Sequence, residues 1–204
     1  MSLSRQCSCY HEAGHAVAWV VNGDSLLLVV GHGDARLTSE QEALRNAVLV
    51  SHKDDHLAFV NRLLQRRRSA GETIRKGKER SACEECKSTE LSDACPACVK
   101  VLVDHLCCIF AGGAATALLL RDEHVKSQMS DDLAQINNAL QKFLPKDEPQ
   151  RQELRSRAEQ HADSLIRRET TAVRALADQL LVDGVLNGPI AEQIIRRNLR
   201  SPTA

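Results

Sequence analysis

The chain has 204 residues with 27 basic and 27 acidic side chains, so no net charge draws it toward nucleic acid or an anionic membrane. That length suits one domain with a real core and needs no disulfide staples. Aromatic residues make up only 2%, a composition that favours helices over strands and lacks the stacking platforms of single-strand nucleic-acid binders.

In chain order, Ser4–Val21 is predicted as a helix that Asn22-Gly23-Asp24 stops. Ser25–Val30 is a short apolar run between turn residues, predicted as a strand. Thr38 to Glu42 has the polar cap and early acids of a helix start, and the helix is expected to run to Leu64, with Leu44, Val48, Phe59, Leu63 and Leu64 apolar. Residues 66–98 change character, with three arginines, scattered glycines and few apolar residues, and are expected to be an insertion in a single domain spanning 1–204. Gly71 to Gly77-Lys78 is one residue too long for a phosphate loop, and Glu79 stands where Ser or Thr is needed. No nucleotide is therefore expected, and no ATPase domain is recognisable. Val99–Arg121 is predicted as an apolar helix with small residues at 111–115. Helices are also predicted from Ser130 up to Pro145, over Glu148–Arg168, over Thr170–Asp183, and from Asn187-Gly188-Pro189 onward.

The stretch after Met1 is polar rather than a signal sequence, and Cys107–Leu120 is shorter than the roughly 20 apolar residues a span requires. A cytoplasmic protein without membrane insertion is the expectation. Eight cysteines in that setting point to reduced thiols and metal rather than disulfides.

The chemistry concentrates at His11-Glu12-Ala13-Gly14-His15, an H-E-x-x-H pattern. Four residues apart on a helix, the two imidazoles share a face and can reach one ion, with Glu12 placed to take a proton from a metal-activated water. A solvated helix face is the plain alternative. A catalytic zinc usually has three protein ligands. The extended pattern with a later histidine is absent, since Ala18 and Asn22 occupy those positions. Asp131 and Asp132 are the candidates for the third ligand, although acids are also simply favourable in a first helical turn.

Cys83, Cys86, Cys95 and Cys98 form C-x2-C-x8-C-x2-C, a spacing that can close a second, structural zinc site and hold a polar insertion folded. Cys95-Pro96-Ala97-Cys98 also resembles a disulfide-exchange motif, which keeps a redox role open. His52 and His56 read as a solvated helix face, and Cys7, Cys9, Cys107 and Cys108 as packing thiols.

Cys9-Tyr10-His11-Glu12-Ala13-Gly14-His15-Ala16 resembles the zinc-site helix of the FtsH-type proteases, peptidase family M41. Phe110 to Ala115 is similar to that family's small-residue helix. Ser130-Asp131-Asp132-Leu133 is similar to the segment that carries its third ligand, and Ala175 to Gly188 to its closing helices. The chain departs from the pattern at Gly113, where the family has arginine, and at Thr116-Ala117, where it has paired glutamates. The resemblance implies a mainly α, zincin-like peptidase domain with a short strand region and a small cysteine-rich insertion. It implies His11, His15 and Asp132 as zinc ligands and Glu12 as general base. The expected activity is ATP-independent hydrolysis of flexible or unfolded polypeptides, some brought by a separate delivery or unfolding partner; oligomerisation stays open. The alternative is a metal-stabilised binding module that no longer cleaves.

Overall fold

A computed structural model describes residues 3–31, 47–51, 96–120, 129–144 and 147–200. Among them lie six helices and one small sheet: α1 (Leu3–Val21), β1 (Ser25–Val30), β2 (Ala47–Ser51), α2 (Pro96–Leu119), α3 (Ser130–Phe143), α4 (Glu148–Arg168), α5 (Thr170–Asp183), β3 (Val185–Asn187) and α6 (Gly188–Asn198). The protein is mainly α, as its composition led us to expect.

Helix α1 is the centre of the packing. It lies against α2, α5 and β1, and α2 in turn lies against α4. Helices can approach this closely only where side chains are small. A methyl group built on Gly14 would stand 2.4 Å from the Ala111 carbonyl oxygen and 2.7 Å from the Ala115 side chain. Leu102, Leu106, Ile136, Leu165, Ile166, Leu176 and Leu180 fill the core around this contact and are fully buried.

The sheet has the order β2-β1-β3, with β1 antiparallel to both neighbours. Val29 pairs with Val48 on one side and with Leu186 on the other. The β2 register shifts between Leu26 and Leu28, leaving Leu27 as the extra residue of a bulge, and Leu27 is exposed. The helix predicted over Thr38–Leu64 is thus corrected at Ala47–Ser51, where Ala47-Val48-Leu49-Val50-Ser51 forms a strand. Its apolar, β-branched residues meet a matching strand from elsewhere in the chain, and that pairing overrides local helix preference. The three-residue β3 was not predicted either.

The chain's last elements close on β1. Asn187 caps α6 by accepting from the Ile190 amide at 3.0 Å, and Pro189 lies in the first turn. Gly188 is required here, since a methyl group on it would fall 1.7 Å from the Leu26 carbonyl oxygen. Glu192 on α6 accepts from the Leu26 amide at 2.9 Å. Gly184, at φ 77°, turns α5 into β3 in the left-handed region where glycine is favoured.

Helix α2 begins at Pro96 rather than Val99, and its apolar part is longer than Cys107–Leu120. Val99–Leu119 is long and apolar enough to cross a membrane by length and composition, with 67% of its most apolar window buried inside the protein. Buried core helices of soluble proteins have the same character, so length alone does not distinguish the two. Residues 66–95 of the polar insertion, with Cys83, Cys86 and Cys95, lie outside the described residues, as do His52 and His56, while residues 96–98 belong to α2. Cys98 falls in the first turn of α2.

Candidate metal centre

His11 and His15 sit one turn apart on α1, and the first turn of α3 brings Asp132 to them. His11 Nε2 lies 3.0 Å from His15 Nε2. Asp132 Oδ2 lies 3.1 Å from the first of these nitrogens and 3.4 Å from the second. Three donors held tetrahedrally at about 2.0–2.1 Å from one zinc ion would be about 3.3 Å apart. The observed triangle has that size.

The surroundings orient these groups. His15 Nδ1 lies 2.8 Å from the Cys108 carbonyl oxygen, so it donates there and leaves Nε2 as the lone-pair nitrogen. The two rings meet edge to face, with centroids 4.5 Å apart at 89°. Behind them, Gly112 of α2 makes room: a methyl group there would stand 2.4 Å from His15 Nε2 and 2.9 Å from His11 Cε1. The Thr116 hydroxyl donates to the Gly112 carbonyl at 3.0 Å within the same helix. Asn22 donates from Nδ2 to Cys108 Sγ at 3.1 Å, tying the end of α1 to the residue that holds His15.

The electrostatics are those of buried charge. His11, Glu12 and Asp132 are all buried. Burial, and then the neighbouring His15, hold His11 below its ordinary value, which keeps it a neutral ligand. Burial also opposes charge on His15, but Asp132 and Glu12, with the Cys108 carbonyl, push it up to about 9. Burial works against the Asp132 carboxylate too, and the two imidazoles overcome it, holding the acid well below the usual carboxylate range. Glu12 is raised to about 7, first by burial and also by the charge of Asp132. A bound cation would reverse that last shift and favour the carboxylate.

Two buried polar atoms here lack a hydrogen-bond partner: His11 Nδ1 and Asp132 Oδ2. A buried carboxylate oxygen met only by imidazole nitrogens at 3.1 and 3.4 Å is incompletely satisfied. Asp132 Oδ2 faces two imidazole nitrogens across a gap sized for an ion, and a divalent cation would satisfy it. The donor set therefore fits a metal, and His11, His15 and Asp132 form a buried group that could hold one.

Of the residues predicted for the site, His11, Glu12, His15 and Asp132 come together. Asp131, the competing candidate, is exposed, as expected of an acid serving only a helix start. Cys7, Cys9, Cys107 and Cys108 are buried thiols outside any disulfide, matching the packing role. Burial raises the Cys107 thiol to about 12, which makes it a poor ligand or nucleophile. His105 stacks edge to face on Trp19, with ring centroids 5.4 Å apart. Gly112 and the Cys108 carbonyl were not predicted as parts of the site. The run of small residues at 111–115 was the one visible signal for Gly112, while a backbone carbonyl leaves none.

No family model matches the chain, and no curated protein matches it. The fold and site define a mainly helical protein with a buried His-His-Asp cluster able to hold a metal ion.

Proposed function

We propose that this protein is a zinc-dependent endopeptidase of the M41 type, acting without ATP on flexible or unfolded polypeptides. One observation carries the proposal. His11 Nε2, His15 Nε2 and Asp132 Oδ2 lie mutually 3.0–3.4 Å apart, and the buried Glu12 follows the first histidine. The helix bearing the motif packs beside a small antiparallel sheet, an arrangement that suits a zincin-like domain.

His11, His15 and Asp132 would hold the ion. When bound, zinc lowers the pKa of a coordinated water toward about 7 and polarises a carbonyl. Glu12 takes the proton of the attacking water and delivers it to the leaving amine. With a cation bound beside it, Glu12 is favoured as the carboxylate, the form that accepts the proton. Asp132 keeps its negative charge throughout, and the Cys108 carbonyl holds the His15 ring in place. Substrates are flexible segments, or chains delivered already unfolded by a separate partner, and the site of action is the cytoplasm.

The test is cleavage of casein by zinc-loaded protein without ATP, beside Glu12→Gln. The substitution removes the base and leaves the three ligands. Cleavage should fall by about 10²–10⁴-fold while bound zinc, measured by elemental analysis, stays the same. Equal rates in the two proteins would remove Glu12 from the chemistry. A zinc-replete, folded wild type that cleaves nothing would favour the metal-stabilised binding module.

A further inference from the structure

Helix α3 starts in an unusual way. Met129 precedes it with helical backbone angles, φ −86° and ψ −1°, rather than the extended ones from which a side chain caps a helix, and it makes no cap bond. The α4 and α6 helices do have such caps, in Asp147 and Asn187. The Met129 side chain is instead turned to the core, half-buried against it. It lies over Gly113 of α2: a methyl group on Gly113 would stand 2.3 Å from Met129 Sδ, 2.7 Å from Cε and 2.9 Å from Cγ.

The two adjacent glycines of α2 therefore serve different neighbours. Gly112 faces the imidazoles of His11 and His15, and Gly113 receives Met129. The Met129 carbonyl accepts from the Leu133 amide at 2.8 Å, so Met129 and Asp132 belong to one rigid helical turn. The thioether thus sets the height of that turn over α2 while Asp132 reaches across to the histidines.

We propose that Met129, seated on Gly113, is a positioning residue for the metal centre, fixing Asp132 at ligand distance from His11 and His15. The proposal rests on the metal-centre reading above. The Met129 side chain touches neither metal nor substrate. It acts through the backbone of the first turn of α3.

The experiment is Co2+ titration of the full chain, with affinity read by chelator competition and coordination geometry by ligand-field absorption. Asp132→Ala identifies the share of the signal that belongs to this centre. Met129→Ser places a small polar residue suited to a helix start and removes the seated side chain. Gly113→Ala fills the seat and leaves α3 untouched. Each should weaken Co2+ binding by about 10–100-fold and alter the ligand-field bands. Helix content and metal-free unfolding of Met129→Ser should change little. In the double variant Gly113→Ala with Met129→Ser, the new methyl group takes part of the vacated space. Its loss of affinity should be smaller than the product of the two single losses. Wild-type affinity and spectrum in Met129→Ser and Gly113→Ala, with the signal still lost in Asp132→Ala, would overturn the positioning role alone. Affinity lost only in step with helix content would also overturn it, in favour of a merely structural role. A wild type whose Co2+ signal is untouched by Asp132→Ala would overturn the metal-centre reading itself.

Discussion

The two helices that supply the candidate ligands are held in opposite ways. Helix α1 is buried along most of its length, from Cys7 through Val20, and touches α2, α5 and the sheet. Helix α3 lies at the surface. Asp131, Ala134, Gln135, Asn137 and Asn138 are exposed, and a stripe of Ile136, Ala139 and Leu140 faces inward. Two ligands are therefore fixed by the core, and the third is delivered by an element with few anchors. A metal ion joining them would be a structural tie as well as a chemical centre.

The largest way to break this contrast is to disturb the side that the core holds. Gly14→Ala pushes a methyl group against backbone at Ala111, which cannot swing aside. It should cost about 1–3 kcal/mol in denaturant unfolding and weaken metal binding with it. Unchanged stability would mean that α1 and α2 can part without loss, and the contrast with α3 would disappear.

A smaller, local effect is expected on the other side. Chelation should raise amide hydrogen exchange in the first turns of α3 and leave the middle of α1 protected. Equal changes in both helices would show that the ion does not serve as the tie.

The smallest effect is in the slope of stability with pH. Burial raises Glu12 from 4.5 to about 7, so the folded metal-free protein holds a proton that the unfolded chain releases. Metal-free stability therefore falls as pH rises over that interval. His15 is pushed up from 6.5 to about 9, so its stabilising contribution is complete below its ordinary value and is lost as pH rises through 9. Metal binding has the opposite sign, because the ligands must give up their protons. His11, held below 6.5, opposes this at lower pH, so metal-free Tm should decline between about pH 6.5 and pH 9 while the Tm gained on adding zinc grows. Parallel slopes would count against a shared site for the proton and the ion.

Much of this was legible in the sequence, and the gaps have physical causes. Helices α4 and α5 run over Glu148–Arg168 and Thr170–Asp183, the bounds their sequences predicted. The motif placed His11 and His15 on one face because helical spacing alone does so. Asp132 could not be separated from Asp131 by composition, since both acids suit a helix start, and only the fold shows that one is buried and the other exposed. The strand β2 was hidden because a five-residue apolar run takes its identity from its partner, Val29 and its neighbours, some twenty residues earlier. Gly112 and Gly113 were visible as small residues, but which groups they admit depends on α1 and α3 crossing α2.

The seating of Gly188 and Glu192 on Leu26 has a consequence for the timing of synthesis. The strand that follows the histidine helix gains its β3 neighbour and its helix α6 support from residues made much later in translation. Contacts so distant in sequence form late. A nascent chain that has already exposed Glu12 and both histidines still lacks Asp132 and the closing strand. The His-His-Asp cluster is thereby completed only after α3 has been made, and its sheet only after β3 has followed.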